Sequence, residues 1–190
     1  GNDTYRVEVN GGVDAILDES GAGDVLSFGA GIAPGDLTLS ETAGGIRVQV
    51  GAAAAETAVL LLDQSLAGGQ AQPIEMFAFE DGTLWNSAQI DSHTNHAPAA
   101  VSTVPDQIAR VGTAFSLTVD PFVDRDAGDQ LTYSAAQADG QALPLWLAFN
   151  PTTRQFSGTP PVTAPGSVAV RITAEDLGGL RNSLAFAIGV

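Results

Sequence analysis

Short alternation of apolar and polar residues, broken every few positions by glycine, proline, aspartate or asparagine, most limits what this chain can become. Tyr5-Arg-Val-Glu-Val9, Ile46-Arg-Val-Gln-Val50, Phe115-Ser-Leu-Thr-Val119, Val168-Ala-Val-Arg-Ile-Thr173 and Leu184-Ala-Phe-Ala-Ile188 each set their apolar side chains on one face of an extended segment. A period of two with such punctuation specifies half-buried strands, and no helix longer than about ten residues is expected. Ala52–Ala58 has helix propensity, but Gly51 and the β-like Thr57-Ala-Val-Leu-Leu-Leu62 flank it, so the region is read as strand or loop.

The 190 residues sit at the upper edge of one domain or at the size of two small ones. Two habits divide them. Glycine dominates residues 1–90, whereas eight of the ten prolines lie beyond residue 97. Residues 1–92 carry 14 acidic residues and two arginines, and residues 93–190 carry eight and five. Asp91-Ser-His-Thr-Asn-His-Ala-Pro98 joins the halves and ends in an X-Pro step that disfavours helix. The expected organisation is a domain over 1–92, a linker over 93–98 and a second domain over 99–190.

The chain holds 22 acidic and seven basic residues, all seven arginine, for a net charge of −15. Such a surface has no electrostatic route to nucleic acid or to an anionic membrane; its natural partners are cations, hard ones first. With no cysteine there is no disulfide framework, thiol chemistry or cysteine-based zinc site. His93 and His96 fall in the linker, are expected at the surface, and leave little for acid–base catalysis. No phosphate-loop pattern and no nucleophile–base–acid set is visible, so no enzymatic activity is expected. No apolar run is long enough to span a bilayer. No signal peptide opens the sequence, and Gly1 begins abruptly, as a piece of something longer would.

The first half repeats a small unit. Gly1-Asn-Asp3, Gly11-Gly-Val-Asp14 and Gly21-Ala-Gly-Asp24 each join a glycine turn to one aspartate and a short β stretch. Glycine permits a tight turn with inward carbonyls, aspartate adds a carboxylate, and stacked turns would offer an all-oxygen cage suited to Ca²⁺ at Asp3, Asp14 and Asp24. The same residues also fit ordinary Gly–Asp turns in a β domain. The pattern resembles the repeats-in-toxin nonapeptide family of secreted calcium-binding proteins, although the aspartates are spaced by 11 and 10 rather than nine. Gly23-Asp-Val-Leu-Ser-Phe-Gly-Ala-Gly-Ile32, Pro34-Gly-Asp-Leu-Thr-Leu39 and Ile74-Glu-Met-Phe-Ala-Phe-Glu-Asp-Gly-Thr-Leu-Trp85 look like the haemolysin-type calcium-binding-related domain that follows such repeats.

The second half has its own signature in Asn95-His-Ala-Pro98, in Asp124-Arg-Asp-Ala-Gly-Asp-Gln-Leu-Thr-Tyr-Ser134, and in Leu143-Pro-Leu-Trp-Leu-Ala-Phe-Asn150 running on to Arg154-Gln-Phe-Ser-Gly-Thr-Pro160. Thr173-Ala-Glu-Asp176 and the closing strand complete it. It resembles the dystroglycan-type cadherin-like domain, related to the putative-Ig modules of bacterial surface proteins. The resemblance implies calcium where consecutive domains meet, with Asn95, Asp124, Asp126 and Asp176 as ligands and Asp91 and Asp129 as additions. Independently of any family, Asp124 and Asp126 can aim two carboxylates at one point where the chain turns, and acids gathered without a cation repel. A solvated acidic loop would read the same way. Trp85 and Trp146 lie in apolar sequence and are expected in cores rather than on a sugar-stacking surface.

The whole is read as all-β: a Gly/Asp-rich β-roll-like or irregular β domain followed by a seven-stranded cadherin-like β-sandwich. Together the resemblances imply a calcium-binding structural or adhesive segment of a large secreted or surface-attached bacterial protein, exported by a type I route, with calcium stiffening the junction. Further partners would be a cell-surface glycan or protein, or another copy of the chain. The alternative is a carbohydrate-binding or accessory module of a secreted polysaccharide-active enzyme.

Overall fold

The computed structural model describes residues 1–17, 23–51, 57–62 and 74–190. Among the described residues the chain is all-β apart from one short α-helix and one 3-10 turn, and it divides into two compact units, Gly1–Asn95 and His96–Val190. The Ala52–Ala58 reading falls largely outside the described residues, while Thr57–Leu62 forms a strand.

In the first unit the chain alternates between two sheets. Strands β1 (Thr4–Val7), β3 (Val25–Phe28) and β7 (Met76–Ala78) run parallel side by side, and β8 (Leu84–Asn86) closes that sheet antiparallel to β7. Parallel neighbours need a crossover. Here the crossovers run through the second sheet, built from β2 (Gly12–Leu17), β4 (Leu37–Thr42), β5 (Gly45–Val50), β6 (Thr57–Leu62) and β9 (Thr94–Asn95) in the order β2-β6-β5-β4-β9. Period-two burial fixes each face: Leu26 and Phe28 of β3, and Ile46 and Val48 of β5, are buried and belong to one core with Phe77, Ile74 and Ile90. Phe28, Phe79 and Trp85 pack ring on ring, with centroids 4.9 and 5.2 Å apart. Helix α1 (Ser87–His93) starts on a capping box in which Asn86 and Gln89 each accept the other's backbone N–H.

The second unit is a β-sandwich. One sheet orders β11 (Gln107–Ile108), β18 (Arg181–Gly189), β17 (Ser167–Glu175) and β14 (Thr132–Gln137). The other orders β12 (Phe115–Thr118), β16 (Gln155–Gly158) and β15 (Leu147–Asn150), and β10 (Ala99–Ala100) pairs with β13 (Phe122–Val123). Along β17, Val168, Val170, Ile172 and Ala174 turn inward against Phe156, Phe186 and Ile188. Trp146 is partly buried against this core.

Candidate metal centre

The loop between β13 and β14 is folded by its own polar groups. Asp124 Oδ1 accepts the Asp126 backbone N–H at 3.0 Å, and the Asp126 carbonyl accepts the Asp129 N–H at 3.2 Å. Gly128 supplies the left-handed step, φ 99°, that turns the chain between them. The result is convergence: carboxylate oxygens of Asp124, Asp126 and Asp129 lie within 4.8 Å of one another, the one such acidic group of three among the described residues.

Topology adds a fourth carboxylate. Strands β14 and β17 pair with Thr132 opposite Glu175, which carries Asp176 to the side of the loop. Asp176 is buried, and its Oδ1 accepts the Leu180 N–H at 2.8 Å across the β17–β18 turn. Glu175 faces the other way and pairs with Arg181 at 3.0 Å. Burial, together with the negative charges of Asp124, Asp176 and Asp126, pushes the Asp129 carboxyl above the usual carboxylate range.

His96 fastens the loop to the start of this unit. Its backbone N–H donates to Asp126 Oδ2 at 2.5 Å, and its Nδ1 donates to Asp126 Oδ1 at 2.7 Å. The ring is 2% exposed. This corrects the expectation that His96 lies at the surface of a linker. His93 is exposed, but it ends α1 and stacks on Trp85 at 4.1 Å, and Thr94–Asn95 is a strand beside β4.

The donor set fits a hard cation. The group of three is made of carboxylates alone, and Asp124 Oδ2 and Asp129 Oδ2 are buried with no hydrogen-bond donor among the described residues. Buried carboxylate oxygens left in this way are the ligands that Ca²⁺ takes, within a shell of about six to eight oxygens.

The other sequence candidates belong to the first unit. Asp91 is on α1, where its carbonyl accepts the Thr94 N–H, and Asn95 is on β9 opposite Ser40; both belong to the first unit. Asp3 and Asp24 meet, the Asp3 N–H donating to Asp24 Oδ1 at 2.6 Å. Asp24 is fully buried, and its own N–H and that of Gly23 donate to Glu75 Oε2 at 2.6 and 2.9 Å. Asp14 is exposed on β2, in the other sheet. Sequence reasoning missed Glu75 and His96, whose partners lie 51 and 30 residues away.

Residues 97–190 match the family described as "Putative Ig domain", so the second unit is an Ig-like domain. No curated protein matches the chain. Among solved structures, the chain is similar to a nucleoside hydrolase-related protein from Saccharophagus degradans associated with carbohydrate metabolism, with 22% identity over 54% of this chain and 27% of that one, at a TM-score of 0.43. It is also similar to an endo-fucoidan hydrolase of glycoside hydrolase family 107, with 18% identity over 85% of this chain and 27% of that one, at a TM-score of 0.37. The chain thus spans 27% of the length of each of these two solved chains.

Proposed function

We propose that this chain is a non-catalytic, calcium-stabilised structural module of a larger secreted or surface-attached protein, serving adhesion or the spacing of neighbouring domains. One observation carries the reading: Asp124, Asp126 and Asp129 converge within 4.8 Å, two of their oxygens buried without a donor. Asp124, Asp126 and Asp129 would hold the ion, with Asp176 beside them. Bound Ca²⁺ would neutralise the mutual repulsion and tie the β13–β14 loop to the β17–β18 turn. The ion's work is mechanical: it locks two loops at one end of a sandwich whose core is complete without it. An external setting suits such a module, because calcium is plentiful there.

The test is melting of the full chain with calcium and with chelator. Calcium at a hundredfold excess over its Kd should stabilise the native state by about 2.7 kcal/mol. The doubly substituted Asp124→Asn, Asp129→Asn chain should melt at one temperature in both media. Coincident curves for the unsubstituted chain would overturn the reading.

A further inference from the structure

A second site is written into the second unit, and it does not rest on the cation. Leu131, Thr132, Tyr133, Pro151, Thr152 and Arg154 line an open groove of about 520 Å³ between the start of β14 and the turn joining β15 to β16. That volume falls in the range of small-molecule sites.

Arg154 is the unusual residue. Its φ of 55° lies in the left-handed region, shared among described non-glycine residues with Asn10. Asparagine tolerates that region through its short polar side chain, but arginine has no such relief, and glycine would cost less. The turn that leads to it is held by Asn150 Oδ1, which accepts the N–H groups of Thr152 and Thr153 at 3.0 and 3.3 Å. The backbone strain is therefore retained for the side chain.

That side chain is fixed on one edge and one face. Nε donates to the Val119 carbonyl at 3.3 Å, and the guanidinium carbon sits 5.6 Å from the centre of the Tyr133 ring. Arg154 has no carboxylate partner among the described residues, as is also true of Arg47, Arg110 and Arg171, while Arg6 and Arg181 pair with Glu8 and Glu175. A pre-set guanidinium fork matches a planar carboxylate with two parallel hydrogen bonds. Thr132 and Thr152 line the groove beside it, the Thr132 hydroxyl donating to the Glu175 carbonyl at 3.4 Å, and Leu131 and Pro151 add apolar surface. A doubly charged phosphate would call for more than one cation, and the net charge of −15 opposes nucleic acid.

We propose that this groove binds a hexuronate, a sugar ring bearing one carboxylate. Arg154 takes the carboxylate, Thr152 takes a ring hydroxyl, and Leu131 and Pro151 lie along the C–H face. Recognition runs through the guanidinium and needs no exposed aromatic platform.

The experiment is titration of the isotopically labelled full chain with glucuronate, glucose and acetate, followed by NMR. Glucuronate should shift the amide resonances of Thr132, Thr152 and Arg154 and saturate, with glucose and acetate each about tenfold weaker or worse, some 1.4 kcal/mol. Arg154→Gly relaxes the backbone, so it should melt no lower than the parent yet lose at least about tenfold in glucuronate affinity. Arg154→Lys, which keeps the charge and loses the fork, should weaken binding as well and serves if the glycine variant fails to fold. Absence of shifts with glucuronate would overturn the proposal. So would equal response to acetate, which would mean an anion site that ignores the sugar, or unchanged affinity in both variants.

Discussion

Asp129 is a side chain whose ionisation opposes folding, and one that the proposed calcium ion would turn to its support. Burial and the charges of Asp124, Asp176 and Asp126 raise its carboxyl above the usual range. A carboxyl that binds its proton more tightly in the folded than in the unfolded chain destabilises the fold once ionised. The cost is absent below the unfolded pKa, grows as pH rises through the folded value, and is complete above it. In chelator near neutral pH, Asp129→Asn should therefore melt higher than the parent, and the difference should vanish at about pH 3, below the usual carboxylate range. In saturating calcium the order should reverse, because the amide no longer gives the ion a full charge. Thermal melts at the two pH values and in the two media check this. The three loop aspartates were legible as a set because Asp124, Asp126 and Asp129 are close in sequence, and a local turn brings them together. His96 was not legible, since nothing near it marks a histidine whose carboxylate partner lies 30 residues on.

At the scale of elements, the alternating runs were readable because one face of each strand is buried and the other is not. Val168, Val170, Ile172 and Ala174 reach the core at every second position of β17, as the sequence pattern requires. Pairing was not readable. Nothing in Tyr5-Arg-Val-Glu-Val9 announces that β1 lies parallel to β3, with Thr4 opposite Val25, because a crossover through a second sheet leaves no local trace. Close backbone approach is equally silent. Gly158, in β16 between β12 and β15, would as alanine place its Cβ 1.8 Å from the Trp146 carbonyl oxygen. That oxygen is main chain and cannot swing away. Gly158→Ala should cost about 3 kcal/mol, at the upper end of overpacking effects. Phe156→Ala, which empties a fully buried ring packed 4.7 Å from Phe149 and 5.6 Å from Phe186, should cost about 3–5 kcal/mol. Denaturant unfolding measures both, and a neutral Gly158→Ala would show that β15 and β16 have room to separate.

The whole molecule carries its charge unevenly across two separately packed cores. Residues 1–92 hold 14 of the 22 acidic residues, yet the acidic group of three among the described residues lies in the second unit. Charge density alone therefore does not place the candidate site; turn geometry does. The same imbalance makes any stabilisation by calcium ambiguous until screening is separated from binding. A chain at −15 repels itself, and any salt relieves part of that. At about 0.15 M ionic strength the Debye length is about 8 Å, so repulsion between distant exposed charges is already largely screened. Carboxylates within 4.8 Å of one another and partly buried are screened far less. Raising sodium chloride to that strength should thus give a modest rise in melting temperature, and adding millimolar calcium at constant ionic strength should give a further one. Magnesium at the same concentration should give much less, because it dehydrates reluctantly and demands a tight octahedron, whereas loop carboxylates of uneven reach suit the larger ion. The further rise should be absent in the Asp124→Asn, Asp129→Asn chain, while its response to sodium chloride persists. If magnesium and calcium act alike at constant ionic strength, the loop is a screened acidic turn and the ion has no site there.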